Sequence, residues 1–158
     1  LDISIENIEH HLHDVAGIRV ICTFQKDIYI LAEKLCEQDD IKLLARKDYI
    51  KNPKPNGYRS LHLIVEIPVF FAEGKKYMQV EVQFRTIAMD FWASVEHKIY
   101  YKKEIDHNTA QFTEKLRRCA ENINAIAIEL ENISREIEAQ EEQEQPERKA
   151  AASELLVL

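Results

Sequence analysis

The chain has 158 residues, 46% of them hydrophobic, which is enough for one ordinary core and too short for two comfortable domains. No apolar run approaches the roughly 20 residues that cross a bilayer, and no basic-then-apolar leader opens the chain, so a soluble, cytoplasmic protein is expected. The net charge of -7 is lopsided: residues 129–158 hold nine of the 28 acids but only Arg135, Arg148 and Lys149 of the bases, leaving the rest of the chain nearly neutral.

Taken in chain order, His10, His11, His13 and Asp14 come first, but their spacing suits a compact metal site on neither a helix nor a strand, and they read as a solvated or capping cluster. Residues 17–24 (GIRVICTF) are β-branched and apolar and predict a buried strand, with Asp14 just before it. Residues 26–38 carry Ile28, Leu31, Leu35 and Cys36 at helical spacing, and 41–48 predict a second strand. Cys22, Cys36 and Cys119 lack CxxC spacing and sit among apolar neighbours, which points to small hydrophobes in a reducing compartment.

The segment from Lys47 to His62 (KDYIKNPKPNGYRSLH) is the most informative. Positions 42–59 hold Lys42, Arg46, Lys47, Lys51, Lys54 and Arg59 against the single acid Asp48, a local basic patch that suits an anionic ligand. Pro53 and Pro55 stiffen the loop, and Gly57 allows a tight turn before Tyr58. Such a loop is suited to phosphate oxygens and a flat ring.

Residues 60–70 predict a long third strand with Leu61, Leu63, Val65, Ile67 and Val69 on one face, followed by a turn at Glu73, Gly74 and Lys75. Residues 77–85 alternate strictly: Met78, Val80, Val82 and Phe84 point one way, and Gln79, Glu81, Gln83 and Arg85 the other. That polar row sets an acid, an amide and a base two residues apart, as on a solvated face or a ligand cleft. Residues 87–101 predict a helix. From Phe112, the positions Leu116, Cys119, Ile123, Ile126, Leu130, Ile133 and Ile137 continue a heptad stripe on a long helix that is expected to meet another helix, in this chain or a second copy. Beyond Ala139 the chain is acidic, polar and broken by Pro146, and it reads as disordered.

Three motifs in fixed order carry a family resemblance: DVAGIRV at 14–20, the KDYIKNPKPNGYRSLHL loop, and EVQFRT at 81–86 followed by DFWA at 90–93 and EHK at 96–98. Together they resemble the synthetase domain of RelA/SpoT-type alarmone synthetases, especially the small, single-domain members, over about residues 8–103. The resemblance implies a GTP pyrophosphokinase, which moves the β,γ-pyrophosphate of ATP to the ribose 3′-hydroxyl of GTP or GDP and releases AMP and (p)ppGpp. It implies an α/β fold, a mixed sheet of about four or five strands flanked by helices with a nucleotidyltransferase-like cleft on its polar face. The expected division is a catalytic domain over 1–106, an oligomerising helix over 107–140 and a tail over 141–158.

The resemblance also implies roles. Moving a pyrophosphoryl group between polyanions calls for Mg²⁺, held by few carboxylates. Asp14 would hold the metal, and Glu81 would share it or take the proton of the attacking hydroxyl. Tyr58 would stack on guanine. Arg19, Lys51, Lys54 and Arg59 would meet acceptor phosphates, with His62 and Gln83 beside the acceptor nucleotide. Small synthetases carry an upstream basic segment that grips ATP, and this chain starts after it, so acceptor binding is expected to be intact and donor binding is in question. Ala45 stands where hydrolase-linked relatives show arginine in an Arg-x-Lys-Asp pattern, and no hydrolase domain is seen, so alarmone degradation is not predicted. Two other functions fit the sequence: a non-catalytic guanine-nucleotide or alarmone sensor that assembles through its helix, and RNA binding through the 42–59 patch, which strong salt dependence would reveal.

Overall fold

A computed structural model describes residues 16–101 and 109–155. Asp14 and the cluster of His10, His11 and His13 lie outside the described residues. The elements are β1 (Gly17–Cys22), α1 (Gln25–Cys36), β2 (Lys42–Asp48), β3 (Leu61–Phe71), β4 (Gly74–Thr86), α2 (Ile87–Tyr101) and α3 (Thr109–Leu155). The four strands form one mixed sheet in the order β1-β4-β3-β2. β3 and β4 make a long antiparallel hairpin, β2 adds antiparallel to β3, and β1 lies parallel to β4. The expected mixed α/β architecture is therefore what the chain adopts.

Period-2 alternation decides which face each strand buries. Leu61, Leu63, Val65, Val80, Val82 and Phe84 project to the core face, where they meet Ile28 and Ala32 of α1 and Met89 of α2. Leu61, Leu63 and Ile28 are fully enclosed. At the start of α1 the Asp27 carboxylate accepts the Phe24 N–H at 3.2 Å, satisfying a donor that the helix itself leaves free.

Three expectations change. β1 is an edge strand, and its Ile18 and Ile21 are exposed, because apolar content alone does not say which strand ends up at the rim. The hairpin turn falls on Ala72 and Glu73, with Gly74 already paired to Phe71 at a φ of +128°. α3 runs on through the stretch read as disordered, past Pro146 to Leu155. Glutamate, glutamine, alanine, lysine and arginine are strong helix formers, so helical preference outlasts the apolar stripe.

The chain divides into two compact units, Leu1–Asn124 and Ala125–Leu158. Within the first, Leu116, Ala120 and Ile123 of α3 pack with Trp92 and Ala93 of α2, and the Trp92 indole donates to the Leu116 carbonyl at 3.1 Å. Cys119 is exposed and does not join that cluster as its apolar neighbours suggest. In the second unit, Ile126, Leu130, Ile133 and Ile137 are all about half exposed. Among the described residues no helix is long and apolar enough to cross a membrane.

Candidate active site

The face of the sheet opposite the core is polar because the same alternation that buries Val80, Val82 and Phe84 turns Glu81, Gln83 and Arg85 the other way. Strand register then adds their neighbours. His62 lies across from Gln83 on one side and Lys47 on the other, while Arg19 of β1 faces Gln83 from the opposite flank. β1 also meets Glu81 directly, since Gly17 is its register partner and the Glu81 N–H donates to the Ala16 carbonyl at 2.9 Å.

The segment between β2 and β3 folds over this face. Asp48 opens it by accepting the N–H groups of Ile50 and Lys51, and the Lys54 carbonyl accepts the Gly57 N–H at 2.8 Å to close a tight turn. Gly57 has a φ of +91°, and a Cβ there would lie 2.6 Å from the Ala120 Cβ, so only glycine lets the loop sit against α3. Asn56 ties the loop to α2 through a 3.0 Å bond to Glu96, and fully buried Ser60 ties it to β4 through the Phe84 carbonyl. The prolines stiffen a loop that is pinned at both ends.

Pinned in this way, the loop sets Tyr58 beside His62, with ring centroids 5.9 Å apart, and Tyr49 edge-on to both. The Lys54 ammonium lies 5.0 Å from the Tyr58 centroid and 4.9 Å from that of Tyr49. Beneath them runs a connected set of hydrogen bonds. The Tyr58 hydroxyl and His62 Nε2 are 2.8 Å apart, and His62 Nδ1 lies 2.9 Å from Glu81 Oε1. The Gln83 amide donates to Glu81 Oε2 at 2.7 Å, and Arg85 donates to the Tyr58 hydroxyl, to Gln83 Oε1 and to Asp90.

Electrostatics fix the charge states. Burial pushes the Glu81 carboxyl up, but the bonds from Gln83 and His62, aided by the charges of His62 and Lys47, outweigh it and hold the carboxyl below its ordinary range. Burial is also the largest influence on His62 and pushes it below its ordinary value near 6.5, with Arg85 and Lys54 adding to the effect against the pull of Glu81. At neutral pH the site holds an ionised carboxylate and a neutral imidazole. A carboxylate has about four lone-pair positions, and two of those on Glu81 are taken by His62 and Gln83. Its side chain is 22% exposed, so the others can meet a hydroxyl or a cation.

Of the residues singled out from sequence, Tyr58, His62, Glu81, Gln83 and Lys54 are brought together here. Arg19 reaches the same face and pairs with Asp90 at 3.3 Å. Lys51 lies 5.4 Å from the Tyr29 ring of α1, and Arg59 donates to the Ile50 carbonyl at the β2 end of the loop at 2.9 Å. Tyr49, Lys47 and Asp90 also line the site without having been assigned a part. Arg85 was visible in the alternating row but had no role, because its partners come from the loop and the next helix.

A family model described as a region found in RelA / SpoT proteins matches residues 4–106. The chain is 45% identical over 137 residues to GTP pyrophosphokinase YwaC of Bacillus subtilis, covering 87% of this chain and 65% of that protein. To GTP pyrophosphokinase YjbM of the same organism it is 37% identical over 143 residues, covering 90% and 66%. The chain thus spans just under two thirds of the length of these relatives. Among solved structures, small alarmone synthetase 1 of Bacillus subtilis bound to its product pppGpp superposes with a TM-score of 0.76 at 36% identity, covering 87% of this chain and 69% of that one.

Proposed function

We propose, from the premise that this chain belongs to the RelA/SpoT family, that it is a GTP pyrophosphokinase making (p)ppGpp for the stringent response in the cytoplasm. The observation that carries the proposal is the ionised Glu81, held by donors on both oxygens and facing a loop of cations and aromatic rings. Relatives named GTP pyrophosphokinases and a relative structure bound to pppGpp support it. In the proposed reaction the acceptor 3′-hydroxyl oxygen bonds to the β-phosphorus of ATP, the bond from that phosphorus to the bridging α-β oxygen breaks, and AMP leaves with the oxygen. The hydroxyl proton passes to Glu81, within whose reach the hydroxyl must be placed.

Tyr58 would carry the guanine ring, with Lys54 moving from the ring face to an acceptor phosphate. Arg19, Lys51 and Arg59 are the further phosphate partners proposed, and His62 and Gln83 orient Glu81 towards the acceptor. The divalent ion proposed is Mg²⁺. Among the described residues no group of three or more His, Cys, Asp or Glu side chains is placed to hold a metal. Glu81 suits Mg²⁺ in kind, with Asp14 proposed from the sequence alone as a second carboxylate, since the ion takes one or two carboxylates and completes its shell with water and phosphate oxygens. Bound there, the ion would offset polyphosphate charge. Assembly with further copies through the heptad positions of α3 is part of the proposal, supported by the exposure of Ile126, Leu130, Ile133 and Ile137.

RNA binding through the 42–59 patch is weakened by how its cations are used: Lys42 pairs with Glu66, Arg46 and Lys51 lie by Tyr29, and Arg59 turns to a carbonyl. The test is AMP release and (p)ppGpp formation with ATP, GTP and Mg²⁺, beside a Glu81→Gln variant matched by circular dichroism. Product that falls by roughly 10²–10⁴-fold in the variant supports the proposal. GTP binding without product, weakened by Tyr58→Ala, would identify a sensor instead, and loss of both would sink the assignment.

A further inference from the structure

Arg85 is the most connected side chain of the polar face and is only 6% exposed. One arm of its guanidinium, Nη1, donates to Asp90 at 2.9 Å. The other, Nη2, donates to the Tyr58 hydroxyl oxygen at 2.8 Å and to Gln83 Oε1 at 3.1 Å. Arginine can only donate, so each of these bonds forces its partner to accept.

The consequences run along two routes to the same carboxylate. Because the Tyr58 oxygen accepts from Arg85, its own proton is free to go to His62 Nε2, 2.8 Å away. His62 must then carry its proton on Nδ1, where it donates to Glu81 Oε1. The opposite tautomer would turn the Nδ1 lone pair toward a carboxylate oxygen at 2.9 Å and leave the Tyr58 proton without its acceptor. On the second route Gln83 gives its Oε1 to Arg85, so its NH₂ is directed at Glu81 Oε2. The histidine tautomer and the amide orientation that Glu81, as an acceptor, demands are thus both braced from the far side by one guanidinium, and both aim a donor at Glu81.

We propose that Arg85 is the positioning residue for the acceptor half of the site, holding Tyr58 directly and fixing both oxygens of Glu81 through His62 and Gln83. Asp90 in turn holds Arg85, and the same Asp90 oxygen meets Arg19, so the start of α2 and β1 are tied to the relay. This rests on the proposed synthetase reaction for its kinetic consequence, but the hydrogen-bond order can be read without turnover.

The test uses the full chain, with ¹⁵N NMR of the His62 ring at one fixed pH and steady-state (p)ppGpp synthesis. Wild-type protein should show the proton on Nδ1. Arg85→Lys, whose single ammonium cannot bridge Tyr58, Gln83 and Asp90 in the same fork, should shift the His62 Nε2 resonance as Tyr58 loses its anchor, with Nδ1 still protonated, and lose about 100-fold in kcat, as expected for a misplaced reacting group. Tyr58→Phe keeps the ring and breaks one route only; with Nδ1 still held protonated by Glu81, it should shift the His62 Nε2 resonance, which loses its donor, and lose about 10-fold in kcat while GTP KM changes less than kcat. If Arg85→Lys does not fold, Tyr58→Phe carries the test by itself. A proton on Nε2 in the wild type, or folded variants with the wild-type Nε2 resonance and kcat, would overturn the proposal. Wild-type protein that makes no product would defeat the synthetase reading while leaving the NMR result to decide the role of Arg85.

Discussion

The two ends of the β3–β4 hairpin have the same alternating pattern and opposite fates. At the inner end Leu61 pairs with Phe84 and His62 with Gln83, and both faces are covered: Leu61 and Leu63 on the core side, His62 and Arg85 on the polar side at 8% and 6% exposure. At the tip Phe70 pairs with Lys75 and Pro68 with Tyr77, and Phe70 and Tyr77 are 77% and 60% exposed. Alternation therefore says which side chains share a face but not whether that face is covered. Where polar residues are buried on the second face, each must find a partner, and those partners make up the site.

The comparison is broken most severely by emptying the core under the site. Leu63→Ala removes a fully enclosed side chain and should cost about 2–5 kcal/mol, read as a lower urea midpoint with an unchanged slope. Next comes the loop that covers the polar face. Gly57→Ala meets both the positive φ and the Ala120 side chain, and should cost about 1–3 kcal/mol while weakening GTP binding, since the displaced loop carries Tyr58. Unchanged GTP affinity in a folded Gly57→Ala protein would show that the seat on α3 does not matter to the acceptor site.

Much of this was legible in the sequence, for identifiable reasons. The row of Glu81, Gln83 and Arg85 and the parity of His62 follow from period 2, which needs no knowledge of neighbours. The edge position of β1 and the hub role of Arg85 do not follow from it, because they depend on strand order and on a loop crossing the sheet. Apolar residues 17–24 look the same at a rim as in the middle. Composition groups Lys51 and Arg59 with Lys54 as loop cations, and only the contact of Lys51 with the Tyr29 ring and the bond of Arg59 to the Ile50 carbonyl distinguish them from it.

Burial of the polar face also predicts a pH dependence. The folded His62 pKa lies below its ordinary value near 6.5, so above that pH neither state takes up a proton there. As pH falls below it, the unfolded chain protonates first and stability drops until the folded pKa is reached. Glu81 acts in the same direction at lower pH, because its stabilisation is present above its ordinary value of 4.5 and is lost as pH falls through the depressed folded pKa. Urea midpoints between pH 7.5 and 5 should therefore fall more steeply for wild type than for His62→Gln. Parallel profiles would mean that His62 is not held neutral by the fold.

The tip should be the quietest part of the hairpin. Lys75 lies 5.8 Å from the Phe70 ring, and an exposed contact of this kind is worth less than about 1 kcal/mol. Phe70→Ser should shift stability by no more than about 0.5 kcal/mol and leave (p)ppGpp synthesis unchanged, because its exposed side chain sits at the tip of the hairpin, six residues along β3 from the register partner of Glu81. A loss of activity without a loss of stability would show that the tip meets something the isolated chain does not contain. In that case its exposure, like the burial of His62, would mark a place where the alternating pattern has been put to use.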